Sequence, residues 1–368
     1  LALSVPEIDP HVAKRNWKDV ADEIRRADDF LLETEHLCKD GSILPVEVRA
    51  KLVTLDREYL LANPEVIVEV SEEEIPRLEN IYARGQENGV RCEMISRERL
   101  LELEPHCAGL RAIHVPETGI VNYRTVCQRM AQIIRQHGWN IVTDARVTAI
   151  QRATGEVVVE STQGTFRTEQ VVNCTGLYSD RVTRLSGEDP NCKIVPFRGE
   201  YFELHQHAEH LCRTLIYPVP DPSFPFLGVH FTRVIEGGVE CGPNAVLAFA
   251  REGYRKLDIN LRDLFDSLTY GGFLRLALKY WRTGLGEQWR SLSKRAFVRA
   301  LQRLIPEINA EDLSAAPSGV RAQAISPAGE MVDDFVIRQS DRVINVCNAP
   351  SPAATSSLNI GSLIADKL

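Results

Sequence analysis

Near the start of the chain, apolar and polar residues alternate with a period of two, which predicts strands. Phe30 to Leu37 and Ile43 to Leu52 are two such runs, as expected for a sheet with one solvated face. Between them lies Lys39-Asp40-Gly41-Ser42, whose Asp-Gly pair readily adopts the φ > 0 of a tight hairpin turn. Helical spacing in Lys14 to Asp29 and a strand-like run in Leu55 to Ala62 complete the segment. We therefore predict a helix, a β-hairpin and a third strand.

The rest of the chain mixes helical and strand-like patterns. A charged helix is expected at Glu72 to Gly89, and Asn122 is placed to cap an amphipathic helix. The other expected elements are short strands in Asn140 to Asn173, antiparallel sheet in residues 194–250, helices in Leu261 to Leu304, and a strand, loop and final helix in Val343 to Leu368. This mixture predicts an α/β (α+β) fold.

Composition narrows the class of protein. The chain has 368 residues, of which 44% are hydrophobic and 26% charged, enough for two domains or one large unit. Its net charge of -8 argues against a nucleic-acid-binding protein, since phosphate backbones are bound by clustered Lys and Arg. No apolar run approaches the about 18 residues of a membrane-spanning helix. Nine cysteines without a CxxC pair indicate neither a metal site nor a disulfide framework, so we expect free thiols and a cytoplasmic location.

The hairpin segment carries a recognisable motif. Residues 35–48 read EHLCKDGSILPVEV, a strand followed by a KDGS turn and a PVEV strand. This motif resembles the C-terminal half of a PAS sensor domain. The resemblance implies that residues 1–63 form a partial PAS-like segment and that residues 64–368 form a separate domain.

A glycine-rich loop is the usual sign of a dinucleotide site, because its backbone N–H groups approach a diphosphate at a helix N-terminus. This sequence contains neither GxGxxG nor a Walker motif. Its one GxG, Gly284-Leu285-Gly286, is followed by Glu287-Gln288-Trp289 instead of a third glycine. A dinucleotide site would have to be built without this loop.

Another segment has the pattern of a cofactor-binding turn. The apolar run Val171-Val172-Asn173 leads directly into Cys174-Thr175-Gly176, and Val147 lies in the strand pair upstream. This region resembles the family of FAD-dependent oxidoreductases that includes D-amino-acid and glycine oxidases. The resemblance implies that Val147, Cys174, Thr175 and Gly176 contact FAD. An ordinary strand-to-helix turn is the alternative interpretation.

Six further motifs follow in the order found in one branch of that family. In one-letter code they are PFRGEYF (196–202), LIYPVPDP (215–222), FLGVHFTR (226–233), GPNA (242–245), GVRAQ (319–323) and CNAPSPAATS (347–356). Together they resemble the L-2-hydroxyglutarate dehydrogenase/oxidase family from about Val66 to Leu368. The resemblance implies a flavoprotein that oxidises the CH–OH group of L-2-hydroxyglutarate, giving 2-oxoglutarate. It also implies a truncated FAD-binding Rossmann-like domain interleaved with an antiparallel-sheet substrate domain.

Such a reaction removes a hydride from Cα and a proton from the hydroxyl, so its site needs a base and a carboxylate clamp. Arg321 is the first choice for a carboxylate because a guanidinium binds it bidentately, and Arg198 is the candidate for the second carboxylate. His230 is the candidate base, since the ordinary histidine pKa lies near working pH. Tyr217 is the candidate hydrogen-bonding residue. Each residue also has a purely structural alternative. Arg321 would form a salt bridge, His230 would be a hydrogen-bonded residue of the core, and the Tyr217 hydroxyl would bond to a neighbouring residue.

The loop before the last helix is a further candidate cofactor contact. The resemblance places this loop at the flavin ring, where backbone N–H groups and a helix N-terminus stabilise negative charge. A plain helix-capping loop is the alternative. The candidate residues are Asn348, Pro350, Ser351, Pro352, Ala353, Ala354 and Thr355.

Two clusters bear on metals and partners. His205 to His210 contains three histidines whose spacing is a weak metal signal, so we predict a solvated loop and no metal. Phe273 to Leu304 carries eight Lys or Arg against one Glu, interleaved with leucines and aromatic residues. This pattern is typical of an interfacial contact and predicts a peripheral site on the inner face of a membrane, where electrons pass to quinone. A basic helix packed on the body of the protein is the alternative.

The resemblance also divides the second domain. Residues 64–193 and 315–368 are expected mainly on the FAD side, and residues 194–314 mainly on the substrate side. Because the glycine-rich loop is missing, we expect an exposed sheet edge and weak FAD binding. Two other functions stay open: a non-catalytic fusion fragment of the family, and a PAS-type sensory protein.

Overall fold

The structure is a computed structural model that describes residues 30–37, 43–50, 60–220, 228–350 and 353–368. The predicted N-terminal helix, the hairpin turn, part of the third strand, Ser351 and Pro352 lie outside these residues.

The strands of the described ranges are β1 (Phe30–Leu37), β2 (Ile43–Ala50), β3 (Leu60–Ala62), β4 (Glu65–Glu69), β5 (Glu93–Ser96), β6 (Arg111–Val115), β7 (Gly119–Val121), β8 (Val147–Ala153), β9 (Glu156–Ser161), β10 (Gly164–Thr168), β11 (Val171–Asn173), β12 (Lys193–Gly199), β13 (Phe202–Leu204), β14 (Leu215–Pro218), β15 (His230–Arg233), β16 (Val239–Gly242), β17 (Val246–Leu247), β18 (Leu313–Ala315), β19 (Gly319–Ile325), β20 (Val336–Ser340) and β21 (Val343–Asn348). The α-helices of the same ranges are α1 (Ile75–Glu87), α2 (Arg97–Leu103), α3 (Tyr123–Gln136), α4 (Ser179–Leu185), α5 (Leu261–Leu268), α6 (Gly271–Lys279), α7 (Trp281–Leu292), α8 (Lys294–Leu301) and α9 (Ser357–Ala365).

The predicted N-terminal hairpin is confirmed in its two strands. β1 and β2 are antiparallel, with Phe30 opposite Ala50 and Leu37 opposite Ile43. The third strand departs from the expected three-strand unit, because β3 pairs with β7. The end of this N-terminal segment is therefore joined to the main body by backbone hydrogen bonds. The PAS-like assignment stays a prediction.

An eight-stranded sheet carries most of the buried core. Its order is β18-β13-β16-β15-β14-β4-β6-β5, and its neighbouring strands are antiparallel except for the parallel pair β14 and β4. One face packs Val66, Ile216 and Phe231 against Phe297 and Leu301 of α8. The predicted antiparallel sheet in residues 194–250 is confirmed, and β4, β5 and β6 extend it. A separate three-stranded sheet has the order β17-β12-β19. Arg198 lies on its strand β12 and Arg321 on its strand β19.

A second region has the parallel pairing of a dinucleotide-binding fold. β11 and β21 are parallel, with Val171 opposite Val343, and β20 pairs antiparallel on the far side of β21. β21 is buried along its whole length, as parallel strands usually are. Within the described ranges β11 has no neighbour on its other side. Among the described residues β11 is thus an edge strand, as the missing glycine-rich loop predicts, although its residues are half-buried or buried.

The helices predicted from residue 72 onward are confirmed, and the start of α3 shows the physical cause of one helix end. The Asn122 side chain accepts hydrogen bonds from the backbone N–H groups of Arg124 (2.9 Å) and Thr125 (3.2 Å), which caps α3. The region from Leu261 to Leu304 forms four short helices, α5 to α8. The mixed α/β class is therefore confirmed. Among the helices that the structure describes, none has the length and apolar character needed to cross a membrane.

Candidate active site

Tyr217 and His230 lie side by side on neighbouring strands of the large sheet. Ile216 of β14 faces Phe231 of β15, which places Tyr217 opposite His230 on the other face of the sheet. Their rings stack with centroids 4.2 Å apart and an interplanar angle of 20°. Two residues that the sequence singled out separately are thus brought into direct contact.

The His230 imidazole is buried and uncharged. Burial lowers the pKa of His230 to about 4, because a low-dielectric environment disfavours the charged ring. Its Nδ1 lies 3.0 Å from the carbonyl oxygen of Gly228, and since a carbonyl only accepts, Nδ1 donates. Nε2 is then the acceptor nitrogen of the ring. A neutral imidazole with a free acceptor is the state that a general base requires.

Tyr217 stays protonated at every physiological pH. Burial raises the pKa of its hydroxyl to about 12, and the Glu65 carboxylate acts in the same direction, whereas a hydrogen bond with Thr232 acts against them. A protonated phenol can donate a hydrogen bond to a substrate oxygen. Glu65 lay outside the quoted motifs and Thr232 had no assigned role within its motif, so the sequence predicted neither contact.

Tyr201 links this pair to Arg321. Gly242, opposite His230 in the sheet, has φ 149°, and a Cβ there would lie 2.9 Å from Cδ1 of Tyr201. Burial raises the pKa of Tyr201, the Glu240 carboxylate raises it further, and the positive charge of Arg321 lowers it. Tyr201 therefore lies within electrostatic reach of Arg321 and packs on the strand beside His230. The sequence had shown Tyr201 only as part of a motif, without a role.

Arg321 is half-buried on β19, opposite Phe197 of β12. Burial lowers the pKa of its guanidinium, and Tyr201 raises it; the group is still charged at neutral pH because its ordinary pKa is above 12. A partly desolvated guanidinium binds a carboxylate more strongly than an exposed one does. The clamp role of Arg321 stays a prediction that this environment supports.

Arg198 corrects the sequence hypothesis. It faces Val320 across the ladder, whereas Arg321 faces Phe197, so the two guanidinium groups leave opposite faces of the sheet. Arg198 is buried, and its Nε and Nη2 donate to Glu200 Oε1 at 3.2 and 2.9 Å. Its Nη1 donates to the carbonyl oxygen of Arg255. Arg198 thus braces the end of β12 and points away from the face that carries Arg321.

The Cys174-Thr175-Gly176 turn is exposed at the carboxyl end of β11, the edge at which open α/β sheets bind ligands. Gly176 has φ 52°, and nothing lies within 4 Å of a Cβ built there, so the space beside the turn is open. The side chain of Asn173 holds this turn in place. Its buried Nδ2 donates to Asn345 Oδ1 at 3.0 Å, and its Oδ1 accepts from the Thr175 hydroxyl at 2.6 Å. Asn173 is a structural residue that the motif contains but the sequence analysis did not assign.

The C-terminal loop begins at the same edge, after β21. Asn348 is buried, and its Nδ2 donates to the carbonyl oxygens of Val332 (3.2 Å) and Asp334 (2.8 Å). Its side chain therefore holds the loop in place. Pro350 and Ala353 are half-buried, whereas Ala354 and Thr355 are exposed before α9. Exposed backbone at the end of parallel strands is suited to contact a cofactor.

Val147 has a packing role in the structure. It lies at the start of β8 and packs against the cluster of Ile150, Val157 and Val343, which joins the β8-β9 hairpin to β21. A backbone contact with the cofactor stays a prediction for this residue. The histidine segment also differs slightly from its prediction, since Gln206–Leu211 forms a short 3-10 helix. No cluster of three or more metal-ligating side chains occurs in the described part of the chain.

The sequence of almost the whole chain matches one protein family. The family described as FAD dependent oxidoreductase matches residues 18–367. The chain belongs to this family. The match begins inside the N-terminal segment and runs almost to the last residue.

Curated relatives in the FAD dependent oxidoreductase family are similar over most of the chain. The L-2-hydroxyglutarate dehydrogenase of Indibacter alkaliphilus is 46% identical over 303 residues, which cover 82% of this chain and 76% of the relative. The mitochondrial L-2-hydroxyglutarate dehydrogenase of Nematostella vectensis is 46% identical over 82% of this chain and 71% of its own length. The L-2-hydroxyglutarate dehydrogenase of Escherichia coli K12 is 42% identical over 82% and 72%.

Solved structures show the same fold. Dithionite-reduced L-alpha-glycerophosphate oxidase from Mycoplasma pneumoniae with FAD bound superposes with a TM-score of 0.65 at 18% identity, covering 83% of this chain and 73% of that one. Glycine oxidase from Geobacillus kaustophilus gives 0.59 at 18% identity, covering 83% and 70%. The resemblance of the fold to FAD-binding oxidoreductases is thus confirmed.

FAD is the cofactor of this family, and one part of the described chain fits it. The open space at Gly176 and the exposed residues Ala354 and Thr355 lie at the carboxyl ends of the adjacent parallel strands β11 and β21. Cys174, Thr175, Asn348 and Pro350 would hold the cofactor there. The glycine-rich loop that usually supplies diphosphate donors does not occur in this sequence.

Proposed function

We propose that this protein oxidises L-2-hydroxyglutarate to 2-oxoglutarate with FAD. The observation that carries the proposal is the contact between a neutral, buried His230 and a protonated Tyr217. The identity of the curated relatives supports the choice of substrate. FAD, when bound, would supply the acceptor for the hydride of the substrate Cα.

The side chains have distinct roles in this proposal. Nε2 of His230 accepts the proton of the substrate hydroxyl as the CH–OH group becomes a carbonyl. The Tyr217 hydroxyl donates a hydrogen bond to the same oxygen and orients it. Arg321 binds the C1 carboxylate bidentately, and Tyr201 beside it restricts the position of the guanidinium. Burial of these groups excludes water, which strengthens each charged contact.

Anaerobic spectroscopy tests the proposal. The purified chain is mixed with FAD, freed of unbound cofactor and titrated with L-2-hydroxyglutarate, with the D enantiomer as a matched control. We expect the oxidised-flavin absorbance to bleach with the L enantiomer only, and 2-oxoglutarate to form in equal amount. Retained flavin that neither enantiomer reduces would contradict the assigned reaction.

A non-catalytic member of the family is the second candidate function. Among the described strands β11 pairs with β21 alone, and the sequence has no glycine-rich loop; both observations favour this candidate, because the diphosphate loses its main backbone donors. The same experiment separates the two functions. A chain that retains no flavin after mixing, yet stays folded, would support this second candidate.

For partners, we propose a peripheral membrane contact through residues 273–304, from which electrons pass to quinone. On α7 of this segment Trp281, Leu285, Trp289 and Leu292 are all exposed and follow one another at spacings of three or four residues, so they form one apolar stripe. Exposed basic residues such as Arg282 flank the stripe. Apolar side chains flanked by positive charge are typical of helices that lie in the interface of an anionic membrane.

A further inference from the structure

A second charged site lies away from Tyr217, His230 and Arg321. It is a surface cavity of about 460 Å³ between α4, the start of β12 and α5. Its walls are the side chains of Arg181, Arg184, Lys193, Arg262, Phe265 and Asp266. Four of these six residues are cations in a chain whose net charge is -8.

Two aspartates hold some of these cations in place. Asp266 accepts from Lys193 Nζ at 2.6 Å and from Arg181 Nη2 at 3.3 Å. Asp263 accepts from Arg181 Nη2 at 2.7 Å. Arg181 and Lys193 are mostly buried at these contacts, so their positions are fixed before any ligand arrives, which reduces the entropy lost on binding.

The remaining positive charge is not neutralised by the described residues. Arg184 donates to the carbonyl oxygens of Asp180 and Cys192. Its Nη1 also lies 3.5 Å from the Asp180 carboxylate, which Arg251 already holds bidentately. Within the described part of the chain, the Arg262 guanidinium has neither a hydrogen bond nor an ion pair. The four lining cations and Arg251 therefore face three carboxylates, Asp180, Asp263 and Asp266, which leaves an excess of two positive charges.

We propose that this cavity binds a phosphate group. A phosphate monoester carries about two negative charges at neutral pH, which matches the excess. Its oxygens accept hydrogen bonds in more than one plane, which suits donors that converge from two helices and a strand. A planar carboxylate would satisfy one guanidinium fork and leave the other cations unmatched.

The phosphate group can come from a soluble molecule or from a lipid headgroup. Phe265 on the cavity wall is 70% exposed, and Leu261 on the same helix is 78% exposed. Apolar side chains beside a phosphate site would meet acyl chains if the headgroup source applies. Both sources present the same phosphate group to the cavity. The test therefore first establishes whether the cavity binds phosphate.

Calorimetric titration of the full chain with inorganic phosphate at constant ionic strength is the first arm. Flotation with vesicles of phosphatidylcholine, with and without phosphatidic acid, is the second arm. The test variant is Arg262→Gln, because this side chain has no structural contact to lose in the described residues. The matched control is Arg135→Gln, an exposed arginine near the end of α3.

We expect Arg262→Gln to weaken phosphate or phosphatidic-acid binding about tenfold, the usual effect of losing one charge-assisted hydrogen bond. Arg262→Lys should recover part of the affinity, and Arg135→Gln should leave it unchanged. Saturable binding of inorganic phosphate would identify a soluble source, and binding to vesicles alone would identify a headgroup. Absence of binding in both arms, or equal losses in the two glutamine variants, would overturn the proposal.

Discussion

Burial sets the protonation state of each candidate catalytic side chain. The pKa of His230 falls and that of Tyr217 rises for the same reason, since both rings leave water for the same low-dielectric face of the sheet. Both groups are consequently neutral from pH 5 to pH 10. The pair can accept one hydrogen bond and donate another without any change in charge. Arg321 is then the charged group of the site that matches a substrate carboxylate.

Arg321 is the most direct target for substitution. We expect Arg321→Lys to raise KM for L-2-hydroxyglutarate by at least about tenfold or to abolish turnover, because a lysine ammonium cannot reproduce the bidentate fork. Steady-state kinetics measure this effect, and Arg299→Lys on the exposed side of α8 is the matched control. Unchanged kinetics in Arg321→Lys would remove this residue from the site.

The depressed pKa of His230 makes stability depend on pH. Between the folded pKa of about 4 and the ordinary value near 6.5, the unfolded chain binds a proton that the folded chain does not. The free energy of unfolding should therefore fall by about 2 kcal/mol from pH 7 to pH 5 through this one group. Urea unfolding at both pH values measures it, and His230→Gln should lose that part of the pH dependence. Parallel pH curves for the two proteins would show that His230 is not desolvated.

Sequence reasoning named the reactive residue types but not their neighbours. His230, Tyr217 and Arg321 carry functional groups that suit the chemistry, so their motifs drew attention to them. Arg198 has the same functional group as Arg321, and only the strand register shows that it points to the opposite face. Tyr201 could not be assigned, because its contact with the site depends on the close approach allowed at Gly242.

Among the elements, α6 and α7 have an unusual distribution of apolar residues. The buried side of α6 includes Phe273 and Leu276, whereas α7 presents an apolar stripe to solvent through Trp281, Leu285 and Trp289. Exposed apolar stripes of this kind mark interaction surfaces. The sequence showed that this segment is rich in apolar residues. Which of them are buried and which face solvent depends on how the helices pack, and only the structure shows that.

Replacing both exposed tryptophans tests the membrane contact. We expect Trp281→Ser/Trp289→Ser to lower binding to anionic vesicles by at least about tenfold, since each ring contributes roughly 1.5 kcal/mol or more when it enters the interface. Vesicle flotation measures this loss. Trp139→Ser is the control, because Trp139 is equally exposed but lies outside the stripe. Equal vesicle binding by the unchanged protein, the double variant and Trp139→Ser would exclude the stripe as a membrane contact.

Pairing between distant strands was the part of the fold that local patterns could not reveal. The sequence predicted most strands from alternation and turn residues. It did not predict that β3 pairs with β7 or that β14 runs parallel to β4, because register between distant segments depends on tertiary packing. The open edge of β11 was the exception. It was predictable because the element that would cover it has a sequence signature, and that signature is missing.

For the molecule as a whole, one buried ion pair connects the proposed cofactor turn to the substrate side. Asp180 directly follows the turn, on α4, and Arg251 follows β17 in a fully buried position. Their contacts are bidentate, at 2.5 and 2.9 Å, and Arg251 also donates to the carbonyl oxygen of Leu177. The division of the chain into an FAD side and a substrate side is still a prediction, but this pair spans the boundary where that division is drawn.

Breaking this pair should therefore affect both sides together. We expect Arg251→Met to lower the free energy of unfolding by about 3 kcal/mol, because the buried Asp180 carboxylate then keeps only the more distant, partly exposed Arg184 as a cation. The double variant Asp180→Asn/Arg251→Met should be more stable than Arg251→Met alone, since no buried charge is then left unpaired. Urea unfolding followed by tryptophan fluorescence and by far-UV circular dichroism measures both variants. Coincident transitions would show that the two sides unfold as one unit, whereas a double variant no more stable than the single one would mean that the side chains act through packing alone.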